Sequence, residues 1–233
     1  MEIQTLKECD VVYIVKDSSD NEELRYSIRS LVNFPHRKVW IFGGKPSWVK
    51  NVEFIPTPQS GSKWQNTARA LEKIKQIDGL SDNFFLFNDD FYVLNKITNY
   101  GYFFNETLNK RAEATKSRFG YSVYGQQLRN ALEWLKMGNY DTLNYELHIP
   151  FLYNKEKLKN LTFPDNCWGA RRSIYGNVYK VGGKQKYDVK IANSQGLPLP
   201  SWDFTSSSDI SFKSGRIGRY IRNKFKEKSS YED

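Results

Sequence analysis

Two adjacent acids beside an amide, Asn88-Asp89-Asp90, interrupt an otherwise apolar run over residues 84–94 of this 233-residue chain. Two carboxylates and an amide suit a hard divalent cation that also touches a diphosphate, because Mg2+ and Mn2+ take oxygen ligands. The same triplet equally suits a solvated turn between two strands of a hairpin. Arg25 and Arg29 stand four residues apart, on one face if that segment is helical. Such a pair clamps a phosphate or carboxylate, or simply solvates a helix. Gly43-Gly44 closes a short apolar segment, which permits either positive φ or close approach of a ligand to backbone. His148, one of two histidines, sits in the polar and aromatic stretch Tyr145-Glu146-Leu147-His148-Ile149-Pro150-Phe151.

The elements that must position these residues follow from hydrophobic pattern. Residues 9–15, apolar apart from Asp10, and the apolar run 84–87 suit strands buried on both faces. Residues 38–42 and 52–55 are shorter strand candidates, and the apolar run at 84 is expected to form the fourth strand. Asp20 or Asn21 caps a helix expected over 22–34, and a second helix is expected over about 66–76. Strands alternating with helices describe an α/β fold with a mostly parallel sheet flanked by helices. Polar groups collect where strands end, the edge at which open α/β sheets bind ligands. Beyond residue 95 the pattern loosens. Residues 100–104 suit a strand or edge, 105–135 read as helical with a break at 120–125, and 155–161 as a short helix. Residues 165–200 show no clear period. Residues 214–231 carry six Lys and Arg among apolar residues, a basic amphipathic helix or an ordering tail.

Composition bounds the function classes. Apolar residues at 39% and charged residues at 26% are ordinary for a globular protein, whereas 15% aromatic is high and suits sugar or base stacking as well as a core. The net charge of +9 is uneven, with 13 Lys+Arg against 13 Asp+Glu in residues 1–100 and 22 against 13 in 101–233. That excess favours an anionic partner, acidic acceptor or nucleic acid. Cys9 and Cys167 make neither a zinc pattern nor a disulfide framework. No apolar leader and no segment of roughly 20 apolar residues is present, so a cytoplasmic protein with no membrane span is expected. One domain is expected, with residues 1–100 carrying the polar groups at the strand ends, 101–213 as an elaborated second region and 214–233 as a basic tail.

Four stretches carry a resemblance: Asp10-Val11-Val12-Tyr13; residues 21–31 from Asn21-Glu22-Glu23 to Leu31; Lys45-Pro46-Ser47-Trp48; and Gly79-Leu80-Ser81 leading to Asn88-Asp89-Asp90-Phe91. In order and spacing they resemble the blocks of the stealth family of sugar-phosphate transferases, which is similar to GT-A glycosyltransferases. His148-Ile149-Pro150 resembles that family's later His-x-Pro block. Lys16-Asp17 departs from the Trp-Val-Asp or Trp-Val-Asn usual there. Small virus-encoded GT-A-like glycosyltransferases, some of which modify nucleic-acid bases, look similar in the same blocks.

The resemblance implies a GT-A-like fold, a nucleotide-diphosphate sugar donor (a UDP-sugar foremost), and a Mn2+ or Mg2+ cofactor held by Asp89 and Asp90, with His148 able to complete the site. It implies anion binding by Arg25 and Arg29, with Asp17, Asp20, Gly43 and Asp89 around the donor. For an inverting transfer, Asp209 and Glu146 are the candidate bases, with Asp203 beside them, and the tail's arginines are candidates to fold over the diphosphate. Three functions stand open: a metal-dependent glycosyltransferase acting on a hydroxyl such as one on a modified DNA base, a sugar-1-phosphate transferase acting on a glycan, and a non-catalytic nucleic-acid-binding domain.

Overall fold

The computed structural model describes residues 5–233. Residues 1–4, where the expected absence of a leader begins, lie outside them. The chain runs β1 (Asp10–Val15), α1 (Glu22–Ser30), β2 (Val39–Gly43), β3 (Glu53–Pro56), α2 (Lys63–Gln76), β4 (Asn83–Phe87) and β5 (Phe91–Val93). It continues through β6 (Phe103–Phe104), α3 (Leu108–Phe119), α4 (Val123–Met137), β7 (Phe151–Asn154), α5 (Lys155–Lys159) and α6 (Arg171–Val178). β8 (Lys184–Gln185), β9 (Lys190–Ile191), β10 (Phe204–Ser207), α7 (Asp209–Ser214) and α8 (Arg216–Lys224) complete it. The protein is a mixed α/β fold whose central sheet has the order β3-β2-β1-β4-β7. Four strands are parallel, and β7 lies antiparallel to β4.

Both faces of this sheet are covered, which is why its strands read as nearly continuous apolar runs. Val12, Trp40, Phe42, Phe84 and Leu86 pack with Leu71, Ile74, Leu128 and Leu132 of α2 and α4. Their alternates Val11, Tyr13, Ile41, Phe85 and Phe87 pack with Leu24, Ile28 and Phe34 on the other side. Asp10 opens β1 fully buried, yet satisfied: its carboxylate accepts from Arg37 at 2.8 and 2.7 Å, the Trp40 indole at 2.9 Å and the Ser81 backbone at 2.9 Å. Burial alone would raise its pKa, but these donors hold it below the ordinary carboxylate value.

Several expected elements differ from those observed. The strand expected over 84–87 is present as β4, and beyond the acids the run continues as a further strand, β5. β4 belongs to the central sheet, whereas β5 pairs antiparallel with β10 in a second sheet. The acid triplet is therefore a turn between sheets, and β4 and β5 form no hairpin with each other. The first helix ends at Ser30 and passes into a 3-10 turn, Leu31–Asn33. α2 starts at Lys63, earlier than expected, because Ser62 and Gln65 form a capping box. The region without period contains α6, whose residues Arg172 to Asn177 are all buried. A helix buried all round has no amphipathic stripe to read.

Candidate active site

β1, β2 and β4 run parallel, so the loops after them meet at one edge, and β7, being antiparallel, brings the segment before it to the same edge. Asp17, Asp20, Gly43, Asp89, Asp90, Glu146 and His148 all lie along it. Gly43 has φ of 110°, and a Cβ there would stand 2.2 Å from the Val15 carbonyl oxygen. Its glycine is required by the chain's own packing against β1. Asp17 and Asp20 are exposed, and Asp20 lies 3.8 Å from Arg25.

Four acids converge beside the end of β4. Asn21 caps α1 through its side-chain oxygen, and its amide donates to Asp89 at 2.7 Å. Asp90 accepts from Ser206 at 2.8 Å and pairs with Lys190 at 2.5 Å. Glu23, in the first turn of α1, accepts from Ser207 at 3.1 Å. Burial, followed by the charges of Asp89, Asp90 and Asp209, pushes the Glu23 carboxyl up to about 7. Burial and then Asp90 likewise raise Asp89. Like charges gathered with one ammonium among them are unfavourable alone, and such perturbed acids mark functional edges.

A basic recess adjoins them. His148 is bonded through Nδ1 to Asp188 at 2.8 Å, and the Asp188 carboxylate also accepts from the His148 backbone N–H at 3.0 Å. The Nε2 atom of His148 has no hydrogen-bond partner among the described residues. Burial opposes ionisation of Asp188, but the His148 bonds and charge bring its pKa down to about 2. Arg172 donates to the backbone oxygens of Leu147 and Ile149, at 2.5 and 3.2 Å, and so brackets His148. Glu146 accepts from the Ser173 backbone at 2.9 Å and caps α6. Around this cluster, the Nε atoms of Arg111 and Arg171 and the hydroxyl of Tyr153 are buried without partners. Among the described residues neither arginine forms a salt bridge with a carboxylate, and burial lowers the Arg171 pKa from its ordinary value. Buried polar hydrogens without acceptors are costly, and the charges of Glu146 and Asp188 act on Arg111, and that of Glu146 on Arg171, without a direct pairing.

The expected residues thus fall into separate groups. Asp89, Asp90 and the exposed Asp209 share the acid cluster, and His148 and Glu146 share the recess. Arg29 stands apart: Glu232 holds its Nε and Nη2 at 2.8 Å each, and the Phe225 and Lys226 carbonyls take its Nη1. It clamps the C-terminal tail rather than a ligand. Arg25 stacks over Trp48 at 4.6 Å. Asp203 lies beside Leu94, at the end of β10 away from the acids. The tail's Arg222 is spent on Glu22, at 2.8 Å to each oxygen. His36 joins the Phe34 carbonyl to the Tyr231 hydroxyl. Among the described residues no group of three or more His, Cys, Asp and Glu side chains has metal-ligating geometry. Asn21 takes Oδ2 of Asp89, and Lys190 and Ser206 take Oδ2 of Asp90, which leaves one oxygen of each carboxylate, the donor type a hard cation takes; His148, held by Asp188, does not join them.

Sequence reasoning missed Glu23, Lys190, Asp188, Arg111 and Arg171 as site residues. Only Glu23 carried a signal, an acid in the first turn after the helix cap Asn21 in a block with a family resemblance.

Part of the chain is similar to capsular polysaccharide phosphotransferases. Two from Streptococcus thermophilus, eps5J and CpsJ, are each 38% identical to it over 79 residues, 33% of this chain. The match spans about a third, 32%, of the length of those curated relatives. No protein-family model matches the chain. Among solved structures, the galactosyltransferase LgtC in complex with donor and acceptor sugar analogues aligns over 95% of this chain and 98% of its own, with a TM-score of 0.47 and 11% identity. The apo glycosyltransferase GlyE of Streptococcus pneumoniae TIGR4 aligns over 77% and 45%, with a TM-score of 0.31 and 10% identity. Among the described residues no helix is long and apolar enough to cross a membrane.

Proposed function

We propose that the protein is a nucleotide-sugar-dependent transferase that moves a sugar phosphate to a hydroxyl acceptor. The observation that carries this reading is the juxtaposition, at one sheet edge, of the acid cluster of Glu23, Asp89 and Asp90 with two arginines, Arg111 and Arg171, whose buried Nε atoms have no hydrogen-bond partner and which form no salt bridge among the described residues. A donor diphosphate supplies negative oxygens to such guanidiniums, and strand ends of parallel sheets are where such ligands bind. Similarity to proteins named capsular polysaccharide phosphotransferases supports phosphate being carried with the sugar.

In this reading the acceptor hydroxyl oxygen attacks the phosphorus that bears the sugar. The bond from that phosphorus to the bridging oxygen breaks, and the nucleoside monophosphate leaves. His148 Nε2 takes the hydroxyl proton, since Asp188 holds the Nδ1 hydrogen and fixes the tautomer. Arg111 and Arg171 meet the charge growing on the phosphoryl oxygens. A Mn2+ or Mg2+ ion held by Asp89 and Asp90 would offset charge on the departing phosphate.

A second reading, plain glycosyl transfer, is favoured by the position of Asp209 within electrostatic reach of Glu23 and Asp89, where a carboxylate base would serve. A hydroxyl on a modified DNA base is the acceptor that the basic second half would suit.

The test is to incubate the protein with a panel of nucleotide sugars, Mn2+ and hydroxyl acceptors, and to analyse products by mass and 31P spectra. Release of nucleoside monophosphate with one phosphorus retained on the acceptor supports sugar-phosphate transfer. Release of nucleoside diphosphate with none retained supports glycosyl transfer. Both readings fall if no donor is turned over and no donor stabilises the fold to heat.

A further inference from the structure

The turn joining α3 to α4 carries three apolar side chains that face outward. Phe119 is 64% exposed, Tyr121 84% and Val123 68%. Gly120, at φ of 64°, reverses the chain between them and ends α3. Cations surround the rings: Lys116 lies 5.2 Å and Arg129 5.7 Å from the Tyr121 centroid, and Arg118 lies 5.0 Å from that of Phe119. Over residues 108–129 the sequence has five cations, Lys110, Arg111, Lys116, Arg118 and Arg129, against the single acid Glu113.

We infer that this turn docks the protein onto an anionic lipid surface. Exposed aromatic and aliphatic side chains lose contact with water by entering the boundary between headgroups and acyl chains, and the flanking ammonium and guanidinium groups meet the lipid phosphates. The patch is complementary in both respects, apolar at the tip and basic at its rim. A nucleic-acid strand offers charge complementarity but no use for Val123, and a helical-hairpin tip provides no groove along which to follow phosphates. Tyr124, the residue after Val123, stacks on Trp64 at 5.8 Å and its ring lies under the Arg111 guanidinium at 5.9 Å, so docking would bring Arg111 toward the lipid. On the transferase reading, the acceptor would then be lipid-borne; the docking itself does not depend on that reading.

The experiment is co-sedimentation of the full chain with vesicles of phosphatidylcholine alone or with about 30% phosphatidylglycerol, without donor or acceptor. The wild type is expected to bind the mixed vesicles at least about tenfold more strongly than the neutral ones, and less strongly at high salt. Phe119→Ser combined with Tyr121→Ser is expected to lower binding by about tenfold with an unchanged melting temperature, because both side chains are exposed. Absence of binding to mixed vesicles overturns the proposal. So does unchanged binding of the double variant, which would assign the contact to another basic surface such as α8. Capture of a single-stranded oligonucleotide through this turn, with no vesicle binding, would also overturn it. Because turnover is not read, failure here leaves the transferase reading intact, and loss of transferase activity leaves the docking result intact.

Discussion

Glu23 lies within reach of three other carboxylates, Asp89, Asp90 and Asp209, and its own carboxyl is pushed up to about 7. Its folded pKa exceeds its unfolded one, so its protonated form favours the fold at low pH, and that contribution is lost as pH rises through 7. Glu23→Gln is therefore expected to raise the melting temperature at pH 8 and to change it little at pH 4, as measured by calorimetry at both pH values. Asp188 has the opposite sign. Its pKa is held near 2, so its contribution is full above pH 4 and disappears as pH falls toward 2. Asp188→Asn should flatten stability across that window. In the proposed reaction the same variant leaves one accepting oxygen where two received the His148 backbone and ring N–H, so the ring loses its fixed orientation and tautomer, and turnover is expected to fall by about 100-fold or more with donor-induced thermal stabilisation retained. A loss under about threefold would remove Asp188 from the mechanism.

At the scale of elements, α1 matters most because it carries Glu23 and is held in place from the far end of the chain. Arg222 of α8 grips Glu22 at its first turn, and Glu232 grips Arg29 near its last. The Arg29–Glu232 pair is buried, with side chains 9% and 2% exposed. Removing one partner of a buried pair leaves the other uncompensated, so Glu232→Gln should cost about 3 kcal/mol in chemical denaturation. Because the tail braces α1, the variant should also weaken donor binding without touching the site. The expectation that the tail arginines reach the donor treated Arg222 as free, whereas its partner Glu22 lies 200 residues earlier.

For the whole molecule, stability rests on the two apolar layers that enclose the central sheet. Phe85 is 1% exposed and meets Phe34 edge-on at 4.9 Å and Tyr100 at 5.0 Å. Phe85→Ala should cost about 3–5 kcal/mol by urea titration, with the secondary structure of any folded fraction retained. The layers were legible in advance: 84–87 and 11–15 are apolar without alternation, the pattern of strands covered on both sides. So was the break between α3 and α4 at Gly120. The buried helix α6 and the antiparallel β7 were not, since one has no polar face and the other is a four-residue strand with no period long enough to read.

From local pattern alone, the sequence determined an α/β chain with a mostly parallel sheet and put Asp89 and Asp90 at a strand end. Only the tertiary structure decided which charges meet. Lys190 reaches Asp90 across a separation of 100 residues, Glu232 takes Arg29 across 203, and Asp188 takes His148 across 40. Apolar periodicity reports burial because burial acts on each residue through its neighbours in the element. The partner of a charge is instead chosen by how elements pack, and no local period records it.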